Sequence, residues 1–282
     1  MRFGRMGRAV VTAVMAATTL GSGTIAVGAP PKADDDAAYY AAISRRIEQV
    51  SRSGGNGGAV DRMLAREFGW LMVAGDDDGA DTGGADTGGA GDPIALGTPS
   101  ASDVSLPTPS IYRNTQLGRY EVLARWQWLR CGSAYCWATN YGGAQGNDGG
   151  PDGFGVVSNI ALNAVTTSFV TYTERGALYR FTNPDVIDDY GSGFSEQDRR
   201  YYGRDYNWDH GLLMYGFNIR TCVGMRGTQW TFRSRMSHTW GDTGVSSITI
   251  GAGFVSFAFS NAGSTNKWQA YSPTVLRWYP CG

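Results

Sequence analysis

Over residues 212–240 large apolar and polar side chains alternate with a period of two. That period marks a β-strand with one buried face and one wet face. Leu213, Tyr215, Phe217 and Ile219 alternate with Met214, Gly216, Asn218 and Arg220, and Trp230, Phe232, Met236 and Trp240 then oppose Gln229, Thr231, Arg233 and Arg235. Val223-Gly224-Met225-Arg226-Gly227 lies between the two runs and supplies the glycines of a hairpin loop. The stretch therefore predicts a central hairpin.

The run 120–131 predicts another strand, with Tyr120, Val122, Ala124, Trp126 and Trp128 on one face. Shorter strands are expected over 136–140, 154–160, 166–173, 177–182, 247–260 and 267–278. A glycine-rich loop is expected over 142–155, and a polar, tyrosine-rich excursion from the sheet over 184–209. Many short strands without a convincing helix predict an all-β fold over 94–282, an antiparallel β-sandwich of jelly-roll-like kind.

The pattern upstream is different. Tyr40, Ile43, Ile47 and Val50 recur at helical spacing behind Asp34-Asp35-Asp36, acids that suit a helix N-terminus. After the break at 54–58, the run 60–73 puts Leu64, Phe68 and Leu71 on one helical face, with Trp70 and Met72 beside it. Neither helix is long enough to stand alone in water. Residues 30–75 thus read as a short helical arm, with propeptide, partner-binding arm and spacer all open. Residues 76–93 repeat Ala-Asp-Thr-Gly-Gly in tandem, carry only negative charges and predict a flexible linker. Residues 1–29 read as an export signal: Arg2, Arg5 and Arg8 precede an apolar run that ends in the small residues Ala26-Val27-Gly28. Secretion is the expectation. No later stretch approaches membrane-spanning length, so no stable membrane insertion is expected.

Composition sharpens this picture in two places. Only Lys32 and Lys267 are lysines among 24 basic residues, which points to a GC-rich bacterial genome. A net charge of −1 without a basic stripe argues against a nucleic-acid partner.

The four cysteines, Cys131, Cys136, Cys222 and Cys281, are an even set in a chain read as exported, which implies disulfides. Of the three pairings, Cys131–Cys136 with Cys222–Cys281 is expected; loop entropy gives about 2 and about 4 kcal/mol respectively. Zinc is disfavoured by the lack of a second close cysteine pair.

Catalytic signatures are missing from the sequence. It contains no G-x-S-x-G, H-E-x-x-H, P-loop or dinucleotide fingerprint. Of the two histidines, His238 shares the inward face of its strand and reads as a hydrogen-bonded core residue. His210 follows Asp209 at the end of the excursion and is a candidate base or ligand. Paired carboxylates acting on polysaccharide would come from Glu121, Glu174, Asp185, Asp188, Asp189, Glu196 and Asp198. Asp148 and Asp152, in the glycine-rich GNDGGPDG, are candidate calcium ligands. Tyr201, Tyr202, Tyr206 and Trp208 cluster among charges, as on a sugar-binding surface, with His210 at hand. A non-enzymatic module for a glycan, a cell-wall polymer or another secreted protein is the leading expectation. A polysaccharide-acting enzyme and a secreted antibacterial toxin component are the alternatives.

Overall fold

The computed structural model describes residues 33–75, 101–131, 134–135, 146–173, 178–181, 183–201, 205–206, 208–220 and 227–278. The expected export signal and linker, the side chains of all four cysteines, and those of Asp148, Tyr201, Tyr202 and Tyr206 lie outside the described residues.

In chain order the elements are α1 (Ala33–Arg52), α2 (Gly57–Phe68), β1 (Trp70–Ala74), β2 (Val104–Ser105), β3 (Ser110–Asn114), β4 (Arg119–Trp128), β5 (Arg130–Cys131) and β6 (Ala134–Tyr135). Then come β7 (Gly146–Ser158), β8 (Asn163–Tyr172), β9 (Leu178–Phe181), β10 (Val186–Asp188), β11 (Gly191–Tyr201) and β12 (Asp205–Tyr206). The chain continues with β13 (His210–Asn218), β14 (Gln229–Thr239), β15 (Val245–Gly251), β16 (Phe254–Phe259), β17 (Lys267–Tyr271) and β18 (Val275–Trp278).

Two antiparallel sheets face each other. The first runs β1-β3-β4-β13-β8-β9, with β2 on β4; the second runs β10-β11-β7-β14-β17, with β12 on β11 and β18 on β14. Val122, Ala124, Trp126, Trp128, Phe169, Leu213 and Tyr215 of the first sheet pack against Phe154, Val156, Phe194, Trp230, Phe232 and Met236 of the second in one core. The expected β-sandwich is therefore the architecture.

The expected central hairpin is not. β13 pairs with β4 and β8 in the first sheet, whereas β14 pairs with β7, β17 and β18 in the second. Period two identifies a strand and its faces but not its neighbour, so two consecutive strands that cross between sheets look like a hairpin. Nor is the outer face of β13 wet. Leu212 and Met214 lie under α1 and α2 with Tyr40, Ile43, Ile47, Val60, Met63 and Leu64.

The helical segment packs on the first sheet. α1 and α2 cover the first sheet, and β1 is one of its strands, paired with β3. The second helix is also shorter than its pattern. Asn56 caps its start by accepting the Ala59 N–H at 3.1 Å, and Gly69, left-handed at φ 66°, ends it. Trp70 thus enters a strand and is buried, while Leu71, expected on the apolar helix face, is 51 % exposed.

The described parts of the two stretches expected to be irregular are largely strand. The glycine-rich run belongs to β7 and the polar excursion to β11, paired from Gly191↔Val157 to Arg200↔Gly146. The glycines serve the outer face, where the β15–β16 hairpin lies flat on the sheet. A Cβ on Gly153 would meet the Phe257 ring at 2.5 Å, and one on Gly193 would meet Ile248 at 2.9 Å. Small residues there let Val245, Ile248, Ile250, Val255 and Phe257 close a third apolar cluster against Val157. No helix among the described residues is long and apolar enough to cross a membrane.

Candidate functional site

The core face of the second sheet changes character along its strands. One row across it is apolar, because Phe194 pairs with Phe154, Phe154 with Met236, and Met236 with Ala270. Directly opposed residues of an antiparallel pair share a face. The next row toward one end of the sandwich sets Glu196 against Asp152 and His238 against Trp268. Asp198 follows on β11, at a register irregularity between Gln197 and Arg199.

Asp152, Asp198 and His238 offer ligand-type atoms all within 4.8 Å of one another. Their exposures are 0 %, 0 % and 1 %, so each is withdrawn from bulk water. Dehydrated carboxylates are costly unless donors meet them. Asp152 Oδ2 accepts from His238 Nδ1 at 2.6 Å, and its Oδ1 accepts from the Thr239 N–H at 2.7 Å and the Thr239 hydroxyl at 3.3 Å. A carboxylate only accepts, so Nδ1 carries the proton and Nε2 is the nitrogen that can be deprotonated. Asp198 Oδ1 accepts from Gln197 Nε2 at 3.1 Å.

Indole rings wall this cluster. Trp128, reaching across from β4, meets the His238 ring edge-on at 5.0 Å; Trp268 lies 5.6 Å and Trp240 5.8 Å from it. Trp128 is buried, whereas Trp240 and Trp268 are partly exposed. The arrangement sets two partly exposed indoles beside buried carboxylates and an imidazole.

Asp152, Asp198 and His238 are also a group able to hold a metal ion. Their mixed nitrogen and oxygen donors suit a transition metal better than calcium, which takes six to eight oxygens. Of the two residues expected to bind calcium, the side chain of Asp148 lies outside the described residues. Asp152 sits in a strand and not on a loop, and both of its oxygens serve His238 and Thr239.

The remaining candidates scatter. Trp208 is not a surface aromatic: it is 0 % exposed, stacks on Trp126 at 5.3 Å and meets Phe169 edge-on at 5.5 Å. Its large apolar area belongs in the core. The backbones of Tyr201 and Tyr206 lie where β11 and β12 pair, Arg200↔Tyr206 and Tyr201↔Asp205, a few residues beyond Asp198.

His210 is clamped between two carboxylates. Its Nδ1 lies 2.8 Å from Asp209 Oδ2 and its Nε2 lies 2.8 Å from Glu48 Oε2 of α1, while its ring stacks on Tyr172 at 4.7 Å. Burial disfavours the charged ring, but hydrogen bonds and attraction from the two carboxylates outweigh it and raise the pKa to about 9.

Among the carboxylates, Glu121 faces the helices and not the sandwich interior. It takes Arg119 Nε at 2.7 Å, Tyr40 Oη at 2.5 Å and Asn114 Nδ2 at 3.2 Å, and Arg119 in turn holds Asp36 of α1 at 3.0 Å. Burial pushes the Glu121 carboxyl up. Asp188 caps a turn by accepting the N–H groups of Tyr190 and Gly191, Asp189 pairs with Arg220, and Asp185 accepts the Ser195 hydroxyl at 3.0 Å. Glu196 is half-buried; burial, with Asp185 nearby, raises its pKa to about 7. Glu174 lies outside the described residues. Of the described acids singled out from sequence, Asp152 and Asp198 meet in the interior.

No protein-family model matches the chain, and neither a curated protein nor a solved structure shows significant similarity to it.

Proposed function

We propose that this protein is an exported, non-enzymatic binding module for a glycan or cell-wall polymer, with its site at the end of the sandwich rimmed by Trp240 and Trp268. One observation carries the reading. Two partly exposed indoles flank a buried Asp152–His238–Asp198 cluster at the strand ends, where the tyrosine-rich chain of β11 and β12 also runs. Sugars present an apolar C–H face and a rim of hydroxyls. Indole faces match the first, and fixed acceptors and an imidazole match the second. The basic, apolar and small-residue order of residues 1–29 supports export.

The test is retention of the purified protein on insoluble peptidoglycan, chitin and cellulose, together with its mobility shift in gels containing soluble xylan. Retention on at least one, reduced in Trp240→Ala and Trp268→Ala, is expected. No retention on any of them would refute the reading.

A further inference from the structure

The edge of the first sheet carries a guanidinium whose inner edge lacks an acceptor among the described residues. Arg180, on β9, stands opposite Val170 of β8, a residue of the apolar cluster beneath the helices. Its side chain therefore lies on the helix-covered face of the sheet. Its Nε and Nη2 atoms are sealed from solvent and meet no acceptor among the described residues. These two nitrogens form one edge of the guanidinium, whose parallel N–H bonds match two oxygens of a phosphate or carboxylate.

The surroundings add positive charge instead of cancelling it. Burial, with the Arg45 guanidinium of α1 nearby, holds the pKa of Arg180 below the usual arginine range. Glu48, one turn further along α1, already receives Arg52 at 2.6 Å and His210 at 2.8 Å. Arginine does not shed its proton to escape such a place, and a buried donor without an acceptor is a standing cost. An oxyanion would remove that cost.

We propose that Arg180 and Arg45 form an oxyanion site between α1 and the sheet edge at β9, which takes a phosphate or carboxylate group of a larger ligand. The site stands independently of the glycan-binding reading, since it rests on other residues and on the other sheet.

The probes are inorganic phosphate and glucuronate, titrated calorimetrically into the full chain, the variants Arg180→Gln and Arg45→Gln, and the control Arg66→Gln on α2. The wild type and Arg66→Gln should bind at least one probe, and binding should weaken about tenfold or more in each of the other two variants, as loss of a charged hydrogen-bond partner implies. Phosphate alone would mark a phosphorylated ligand and glucuronate alone a uronate; either supports the site. Should Arg180→Gln fail to fold, Arg45→Gln, altered at an exposed helical position, decides the matter. Binding of neither probe, or binding undiminished in Arg45→Gln, would overturn the proposal.

Discussion

His238 Nδ1 lies 2.6 Å from Asp152 Oδ2 on the neighbouring strand, and both residues are shut away from solvent. Replacing Asp152 with Ala removes the acceptor of the imidazole and of the Thr239 N–H together. Breaking a buried pair from one side costs about 3–5 kcal/mol. Urea unfolding of Asp152→Ala should show a loss of that order, and a loss below about 1 kcal/mol would mean that the pair is not the anchor of this end of the sandwich.

The helical layer should be indispensable. Tyr40, Ile43, Ile47, Val60, Met63, Leu64 and Trp70 are all buried, and Arg119 and Glu121 lose the partners Asp36 and Tyr40 if residues 33–75 are removed. Each such apolar side chain contributes about 1.5–3 kcal/mol on burial. A fragment beginning at residue 94 should aggregate or melt far below the full chain in calorimetry. An unchanged melting temperature would contradict the packing described above.

The His210 clamp predicts a pH dependence with a definite sign. The ring's pKa is raised from 6.5 in its ordinary state to about 9 in the fold, so the folded protein binds the proton more tightly. The clamp is therefore fully present below pH 6.5 and is lost as the pH rises through about 9. The difference in melting temperature between wild type and His210→Gln should be largest at about pH 6.5 and just below, and should shrink as the pH rises towards 9. A difference that grows with pH would reverse the assignment.

Gly153 should not tolerate a side chain. A Cβ there meets the Phe257 ring at 2.5 Å, and the ring is pinned between the sheet and its own hairpin. Overpacking of this kind costs about 1–3 kcal/mol. Gly153→Ala should melt several degrees lower, whereas Gly263→Ala, at a position with open space around it, should not change.

How far the sequence discloses this structure depends on what each signal measures. Alternation in β4 and β14 reads correctly because the inward positions, such as Val122, Trp126, Trp230 and Met236, are large and apolar. β11 hides because its inward positions include Ser192 and Asp198, so no apolar period survives. The first half of β7 hides, although a strand is expected from 154 onward, because Gly153 and Gly155 answer to the overlying hairpin, a contact remote in sequence. The site shares that fate. Asp152 looks like a loop ligand until β7 is known to be a strand, and Asp198 looks like one loop acid among several. The even spacing of Phe194 and Asp198 on β11, matched by Met236 and His238 on β14, is the signal that could have joined them.

The most direct measurement of the central claim is indole fluorescence at the end of the sandwich. Solubilised peptidoglycan and xylan would be titrated into the wild type, Trp240→Ala, Trp268→Ala and Asp198→Asn. If this end is the binding site, one of the two probes will shift the wild-type emission saturably, and each variant will lose at least about tenfold in affinity, the scale of a buried aromatic or charged contact. Saturable binding that survives all three substitutions would place the site elsewhere on the molecule and contradict the account.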